Sequence, residues 1–364
     1  MHVDDGVLLA SRRHPGLTDK VMHRCADALE AAGFHVPDRV SDGSVAKIIG
    51  YEPQSRPARL LLPSARAVLL IDALRQLARQ QPVEVDQVRS LLGVWIWGAL
   101  LKRELLSVPQ SLFQFVDKFA GRRVDWWPTA RRELLCMASL VQAMYADLGA
   151  KLTPTVFATD AMGASEQDAG GFGIVATRVA PQVAKTCFED ALEPGFTVCR
   201  LDGKFRGLKR PDQRIGRTVP FTKLPDELFD CQWSPLLWGR WQWEEHITLG
   251  EGRAVLKLLN ALAGETRCHR HRVLSLQDNR PVAGAFGKGR STAGSLNRLC
   301  RQKASLAVAA EISLLLPWVQ SPKMPADALS RRIEGQEGYD PVAAAGRRVD
   351  LQQPLQAKFG RPQG

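Results

Sequence analysis

The pattern of apolar residues changes at Gly149, and this change divides the chain into two kinds of structure. Between residues 63 and 150, apolar side chains recur at helical spacing, and Pro63 and Pro82 mark places where helices begin or end. After Gly149, short β-like runs alternate with helical stretches. The sequence therefore predicts a mostly helical region followed by a domain that combines strands and helices.

The order of elements after residue 150 limits the second region further. The runs 153–161 and 170–177 are typical of strands, whereas residues 180–245 give no clear pattern. A helix, a strand, a helix, a strand and a short helix are then predicted over 251–264, 272–279, 293–312, 313–321 and 325–332. We expect one mixed α/β domain, because this order lets helices cover a sheet.

Four acidic residues stand at the ends of these predicted elements. They are Asp160, Glu251, Asp278 and Asp327. Ligands of α/β sheets gather at the carboxyl ends of strands, where Asp160 and Asp278 lie. Four carboxylates around one point repel each other unless cations neutralise them, and Mg²⁺ prefers such hard oxygen ligands. Alternatively, the strand-end aspartates cap turns and the two helix acids are solvated, which is the more common situation for any one such residue.

Positive charge is concentrated in two parts of the sequence. The net charge is +11; residues 199–217 carry seven Lys/Arg against two acids, and residues 264–303 carry nine against two. Localised positive charge suits a polyanion such as nucleic acid, although a solvated basic face fits either window alone. Lys288 and Arg290 are candidates for contacts with backbone phosphates. The tryptophans between 233 and 243 either pack in a core or stack on bases.

Cysteine usage and hydropathy predict an intracellular protein of the nucleus or cytoplasm, neither secreted nor bound to a membrane. The seven cysteines are scattered and form no CxxC pair, so reduced thiols are expected. A metal site of Cys268, His269 and His271 is a weaker alternative. The longest apolar run, 91–101, is too short for a membrane span, which needs about 20 residues.

Four blocks of the second region carry a family resemblance. They are FATDAMGASEQDAGGFGIV, HITLGEGRAVLKLLNAL, LSLQDNRPVAGAFGKGRSTAGSLNRLCR and LLPWVQSPKMPADALSR. In this order they resemble the RNase H domain of retroelement polyproteins, nearest to those of the DIRS type. The resemblance implies an RNase H-like mixed sheet with flanking helices and Mg²⁺-dependent hydrolysis of RNA in RNA–DNA hybrids. It also implies two Mg²⁺ ions (or Mn²⁺), no small-molecule cofactor, and metal-binding catalytic carboxylates at Asp160, Glu251, Asp278 and Asp327.

The first ten residues, MHVDDGVLLA, place two adjacent aspartates in an apolar, strand-like run, and AGFHVPDRVSDGSVAKIIGYEP follows. This arrangement resembles the catalytic hairpin of a reverse transcriptase palm, which implies that Asp4 and Asp5 are metal ligands. Because the chain begins at the hairpin, a truncated palm without polymerase activity is expected. The expected domains are the palm remnant over 1–55, a helical thumb and connection over 56–150, the RNase H-like domain over 151–332 and a flexible tail over 333–364.

The predicted function is that of a retroelement-derived RNase H-like nuclease that acts on RNA–DNA hybrids. A catalytically silent, nucleic-acid-binding relic of a reverse transcriptase polyprotein is the alternative. The sequence predicts no oligomeric state.

Overall fold

The structure, a computed structural model, describes residues 17–36, 50–164, 169–192 and 224–331. These residues form two compact units. The first comprises the described residues of Met1–Lys102 and Pro109–Gly149, and the second those of Arg103–Val108 and Ala150–Gly364. The segment Arg103–Val108 therefore belongs to the second unit, although it lies within the sequence of the first.

The first unit consists mainly of helices, as the periodicity of 63–150 predicts. Its helices are α1 (Leu17–Ala31), α2 (Ser64–Arg79), α3 (Val85–Ala99), α4 (Gln110–Lys118) and α5 (Pro128–Leu140). Its short strands are β1 (Glu52–Ser55), β2 (Ala58–Leu61), β3 (Val83–Glu84), β4 (Arg123–Val124) and β5 (Tyr145–Asp147). Strands β1, β2 and β5 form one antiparallel sheet, and β3 pairs with β4.

The helices of the first unit bury much of the apolar run 91–101. Trp95 of α3 is fully buried, and its indole Nε1 donates a hydrogen bond to the backbone oxygen of Met137 over 3.1 Å. Phe115 stacks on Trp126 with 5.0 Å between the ring centroids. None of the described helices is both long and apolar enough to cross a membrane.

The second unit is a sheet with helices on both faces. Its elements are β6 (Lys151–Met162), β7 (Gly171–Arg178), α6 (Pro181–Leu192), β8 (Ser234–Arg240), α7 (Ile247–Ala263), β9 (His271–Leu276), α8 (Arg280–Lys288), α9 (Gly294–Ala309), β10 (Ser313–Leu315) and α10 (Asp327–Ser330). The strand order is β10-β9-β6-β7-β8, with β6, β7 and β8 antiparallel and with β9 and β10 parallel to β6. This is an RNase H-like fold, and the predicted fold class is confirmed.

Strand β6 lies at the centre of this sheet because it is apolar on both faces. Val156 and Ala158 pack with α6 on one face, while Phe157 and Ala161 pack with α7 and α9 on the other. Successive side chains of a strand point to opposite faces, so one strand contributes to both cores. Asp160 therefore stands near the end of a strand that is buried on both sides.

The structure contains elements that the sequence pattern did not reveal. Helix α6 and strand β8 lie within 180–245, and helix α8 lies between the predicted strand 272–279 and the predicted helix 293–312. Helix α8 begins after Asn279, whose Oδ1 accepts a hydrogen bond from the N–H of Val282 over 3.2 Å, and ends at Gly289, where φ is +75°. Gly284 in its interior costs roughly 1 kcal/mol relative to Ala. Burial of Val282, worth about 1.5–3 kcal/mol, more than offsets that cost.

Candidate metal centre

Three carboxylates converge where strands β6 and β9 end. Asp160, Glu251 and Asp278 each offer one carboxylate oxygen, and these atoms lie within 4.8 Å of one another. Asp160 and Glu251 are both 4% exposed, and Asp278 is half-buried. Within the described part of the chain, no other group of His, Cys, Asp or Glu side chains has this geometry. We call these three residues the carboxylate cluster.

The sheet positions two members of the cluster. Strands β6 and β9 are parallel neighbours, so Asp160 near the end of β6 and Asp278 just after β9 meet at the same edge. The side-chain oxygen of Gln277 accepts the N–H of Asp278 over 2.9 Å and the N–H of Asn279 over 3.3 Å. The indole of Trp318 donates to the backbone oxygen of Asp278 over 2.7 Å. These bonds hold the turn that carries Asp278.

Helix α7 supplies the third carboxylate from its second turn. The helix begins at Ile247, where the imidazole of His246 caps it, rather than at Glu251 as the periodicity predicts. A Cβ added to Gly252 would lie 2.8 Å from Cδ1 of Leu299 in α9, so the glycine lets the two helices pack closely. Glu251 thus points inward from a helix that is capped by His246 and packs closely against α9.

Burial raises the pKa of both inner carboxyl groups. The pKa of Glu251 rises to about 9, first because the group is buried and then because Asp160 and Asp278 repel its charge. Burial likewise raises the pKa of Asp160 to about 7; a hydrogen bond from Ser330 opposes this rise, and repulsion by Asp278 and Asp327 adds to it. Both shifts come mainly from burial, which disfavours the charged carboxylate, and repulsion between the acids adds to them; hydrogen bonds from the backbone of Ala161 and the side chain of Gln277 oppose the rise at Glu251.

The carboxylate cluster fits a divalent cation. Oε2 of Glu251 is buried and accepts no hydrogen bond from any described residue. A buried oxygen without a partner is costly, so an oxygen left in this state needs a physical reason. Carboxylate oxygens are the ligands that Mg²⁺ and Mn²⁺ prefer, and a cation among them would lower the pKa of each group.

Of the four carboxylates predicted to bind metal in the second unit, Asp327 is the one that the structure does not bring into the cluster. Arg331 binds its carboxylate instead, with Nη2 at 2.7 Å from Oδ1 and Nε at 3.1 Å from both oxygens. The Asp327 side chain is 42% exposed. Its charge still contributes to the raised pKa of Asp160, so the two carboxyl groups are close enough to repel each other.

Helix α10 reaches the cluster through Ser330. The buried hydroxyl donates to Oδ2 of Asp160 over 2.5 Å and also lies 2.9 Å from the backbone oxygen of Asp327. Docking of α10 depends on a glycine of β7, because a Cβ on Gly173 would lie 2.6 Å from the backbone nitrogen of Ser330. Ser330 was not among the predicted site residues; its position one helical turn after Asp327 is the signal that could have identified it.

Two solved structures that resemble the chain have low sequence identity and low TM-scores. No model of a protein family matches the sequence, and no curated protein matches it. The N-terminal RNase H domain of rv2228c from Mycobacterium tuberculosis, solved as a fusion with maltose binding protein, has 15% identity and a TM-score of 0.26 over 49% of this chain and 91% of that one. The foamy viral protease-reverse transcriptase in complex with an RNA/DNA hybrid has 11% identity and a TM-score of 0.23 over 78% of this chain and 51% of that one. The chain thus spans about half the length of the foamy viral protein, and the fold assignment rests on the strand order.

Lys288 and Arg290, the predicted phosphate contacts, flank Gly289 at the end of α8. Lys288 is half-buried and Arg290 is exposed, and neither belongs to the carboxylate cluster. A Cβ on Gly289 would lie 1.8 Å from the backbone oxygen of Arg103, so this position has no room for a side chain. The backbone of Arg103 therefore lies directly against the glycine that separates the two cations.

The alternative metal site at Cys268, His269 and His271 is not formed. Cys268 is fully buried, and the ring nitrogens Nε2 of His269 and Nδ1 of His271 bond to backbone oxygens at 2.9 and 2.8 Å. Backbone hydrogen bonding thus accounts for both imidazoles without a metal ion.

The tryptophans of 233–243 serve mainly as core residues. Trp238 is buried, and Trp233 and Trp241 pack against the two hydrophobic cores of the second unit. Trp243 is 53% exposed. The packing alternative is therefore the better description of three of these four residues.

Several predictions concern parts of the chain outside the described residues. Asp4 and Asp5, the basic window 199–217 and the tail from residue 333 all fall there. The reverse transcriptase palm and its two metal ligands therefore stay predictions.

Proposed function

We propose that this chain is a metal-dependent RNase H-like nuclease that hydrolyses the RNA strand of RNA–DNA hybrids. The convergence of Asp160, Glu251 and Asp278 at the edge of an RNase H-like sheet is the observation that carries the proposal. The four sequence blocks that resemble retroelement RNase H domains support a retroelement origin.

The carboxylates would hold the divalent ions. Asp160, Glu251 and Asp278 would be ligands for a first Mg²⁺ or Mn²⁺, and Asp327 would be a further ligand for a second. Bound ions of this kind activate a water molecule and stabilise the leaving oxygen in phosphodiester hydrolysis. The protein contributes by holding the ligand oxygens in place, with Ser330 donating a hydrogen bond to Asp160.

The substrate is inferred from charge and from the resemblance. Residues 264–303 carry nine Lys/Arg against two acids, and they include Lys288 and Arg290, which are proposed to contact backbone phosphates. Recognition of a hybrid would rely on the shape of its backbone and on 2′-hydroxyl groups rather than on base sequence.

A catalytically silent nucleic-acid-binding protein is the second candidate, and one contact favours it. Arg331 occupies the carboxylate of Asp327, which leaves three acids in the cluster instead of the four that the resemblance implies. If this ion pair persisted with substrate bound, the basic residues could bind nucleic acid without cleaving it.

The deciding experiment is a cleavage assay on the full-length chain. A hybrid with a labelled RNA strand is incubated with Mg²⁺ or Mn²⁺, beside the same RNA in an RNA duplex, and the products are separated on a gel. The Asp278→Asn variant removes a cluster ligand, and Asp230→Asn, an exposed acid of the second unit, is the matched control.

Cleavage of the hybrid alone, lost in Asp278→Asn and retained in Asp230→Asn, is the expected result. Binding of the hybrid without cleavage by the wild type, at any concentration of either metal, would support the silent alternative. Cleavage that persists in Asp278→Asn would rule out the carboxylate cluster as its source.

A further inference from the structure

The ion pair between Asp327 and Arg331 engages a proposed metal ligand with a cation of the chain itself. The guanidinium makes three hydrogen bonds to the carboxylate, and both carboxylate oxygens accept at least one. The planar fork of an arginine matches a carboxylate in this way, whereas a lysine ammonium acts as a point charge. The pair is therefore a specific contact of the four-residue helix α10 and its end.

Arg331 also stands close to the carboxylate cluster. Ser330, its neighbour, is bonded to Asp160, and the positive charge of Arg331 slightly offsets the rise in the pKa of Asp160. Asp160 in turn contributes to the raised pKa of Arg331, after the larger effect of Asp327. The guanidinium thus acts on the cluster as well as on its direct partner.

The ion pair is exposed enough to exchange. The side chains of Arg331 and Asp327 are 63% and 42% exposed, and exposed pairs contribute little to stability. A divalent cation carries twice the charge of a guanidinium and is drawn to the same oxygens. The buried Oε2 of Glu251, which has no partner among the described residues, provides an independent reason to expect a first ion at the cluster.

We propose that Arg331 is a built-in counter-ion for Asp327 that competes with a second divalent cation. The first ion binds to Asp160, Glu251 and Asp278 while Asp327 stays paired with Arg331. The second ion binds only when it displaces the guanidinium. Arg331 is thus a positioning residue that separates the two ions in affinity, and this inference rests on the proposed function because it presupposes a metal centre.

The test is to count Mn²⁺ ions bound to the full-length chain. Free Mn²⁺ is followed by electron paramagnetic resonance during a titration of the wild type, Arg331→Gln and Arg331→Lys. Glutamine removes the charge, and lysine keeps the charge but loses the fork. Arg89→Gln is the matched control, since it breaks an exposed Arg–Asp pair, Arg89 with Asp86, in the first unit.

We expect a tight first Mn²⁺ and a weaker second one in the wild type. In Arg331→Gln the second ion should bind roughly threefold to tenfold more tightly, because an exposed pair accounts for up to about a factor of five and the competing ion is divalent. The first affinity should change much less. Arg331→Lys should lie between, and Arg89→Gln should match the wild type.

Two failures are distinguishable. An unchanged second affinity in Arg331→Gln, with the first ion still bound and lost in Asp278→Asn, would overturn the role of Arg331 and leave the proposed function standing. No Mn²⁺ bound by the wild type, or binding that Asp278→Asn does not weaken, would overturn the metal centre and this inference together.

Discussion

The hydroxyl of Ser330 lies 2.5 Å from Oδ2 of Asp160, which joins α10 to the buried acid on the central strand. The same oxygen lies 2.9 Å from the backbone oxygen of Asp327, but a hydroxyl has only one proton to donate. The shorter contact is to the group that can carry a charge, and hydrogen bonds to ionised acceptors are the stronger kind. Ser330 thus favours the ionised form of Asp160, the form that binds a metal ion.

Replacing Ser330 by Ala should weaken metal binding more than it weakens the fold. Partners of metal ligands typically affect affinity by about 10–100-fold, whereas a lost hydrogen bond costs stability by about 1 kcal/mol. Calorimetric titration with Mn²⁺ measures the first effect, and urea unfolding without metal measures the second. Ser305→Ala, which removes an exposed hydroxyl bonded to the backbone of Gln302, is the control. Unchanged Mn²⁺ affinity would mean that Ser330 serves α10 alone.

A methyl group on Gly173 should separate α10 from the sheet. Its Cβ would lie 2.6 Å from the backbone nitrogen of Ser330, so one of the two backbones must move. We expect Gly173→Ala to lose stability by about 1–3 kcal/mol and to lose Mn²⁺ affinity, because the Ser330–Asp160 bond is disrupted. Gly284→Ala is the opposite case, since nothing lies within 4 Å of its added Cβ and alanine favours a helix by about 0.5–1 kcal/mol. Equal denaturant midpoints for Gly173→Ala and Gly284→Ala would contradict this account.

The stability of the metal-free protein should fall as the pH rises. The pKa of Glu251 is about 9 in the folded protein against 4.5 as its ordinary value, so the folded state binds more protons between those two pH values. Stability then decreases with pH across that window, and Asp160, with a pKa of about 7 against 3.8, adds to the decrease in the lower part. Well below the ordinary values of 4.5 and 3.8, both groups are protonated in both states, and the effect vanishes.

Glu251→Gln should remove most of this dependence. In EDTA at pH 9, the variant should melt at a higher temperature than the wild type. At pH 5 the two melting temperatures should agree within about 2 °C, since a change of about 1 kcal/mol in stability shifts the melting temperature of a domain of this size by roughly 2–4 °C. Mg²⁺ should raise the melting temperature of the wild type and not that of the variant. Glu227→Gln, an exposed acid of the second unit, is the control. A wild type that is more stable at pH 9 than at pH 5 without metal would refute the sign of the effect.

The segment Arg103–Val108 should be required for the stability of the second unit. Nζ of Lys303 is 3.2 Å from the carboxylate of Glu104, and the two side chains are only 3% and 14% exposed. Glu104→Gln would leave the buried ammonium without its counter-charge, which costs about 3–5 kcal/mol for a buried pair. Urea unfolding measures the loss. Glu189→Gln, which breaks the exposed pair with Lys185, should change stability by less than about 0.5 kcal/mol.

Replacing both partners distinguishes a lost charge from lost packing. The double variant Glu104→Leu with Lys303→Met should recover much of the stability, since apolar pairs often replace buried ion pairs without loss. A fragment that begins at residue 150 should be less stable than the whole chain, because Asn297 would also lose the backbone oxygen of Ser107, 2.9 Å away. Equal stability of that fragment and the intact second unit would contradict the role given to Arg103–Val108.

Local patterns along the sequence predicted most of the elements. Strand β6 could be identified as a short run rich in β-branched and aromatic residues, and helix α9 because its apolar positions recur at helical spacing. Asp160 and Asp278 could be placed at one edge of a sheet, since both stand at the ends of predicted strands. Helix α8 was missed because Gly284 and Gly287 lower its local propensity, and burial of Phe286 depends on residues far along the chain.

The tertiary structure alone decided which acids meet. Glu251 and Asp327 both looked like acids at helix starts, yet packing of α7 against α9 turns Glu251 inward, while Arg331 one turn away holds Asp327. The inward direction of Glu251 depends on contacts between segments more than 40 residues apart. Arg331 is a local neighbour of Asp327, but the tertiary structure decides whether this arginine or the cluster engages the Asp327 carboxylate. Local sequence patterns by themselves determined most of the elements and which acids were available for a site; packing determined which of these acids form a cluster.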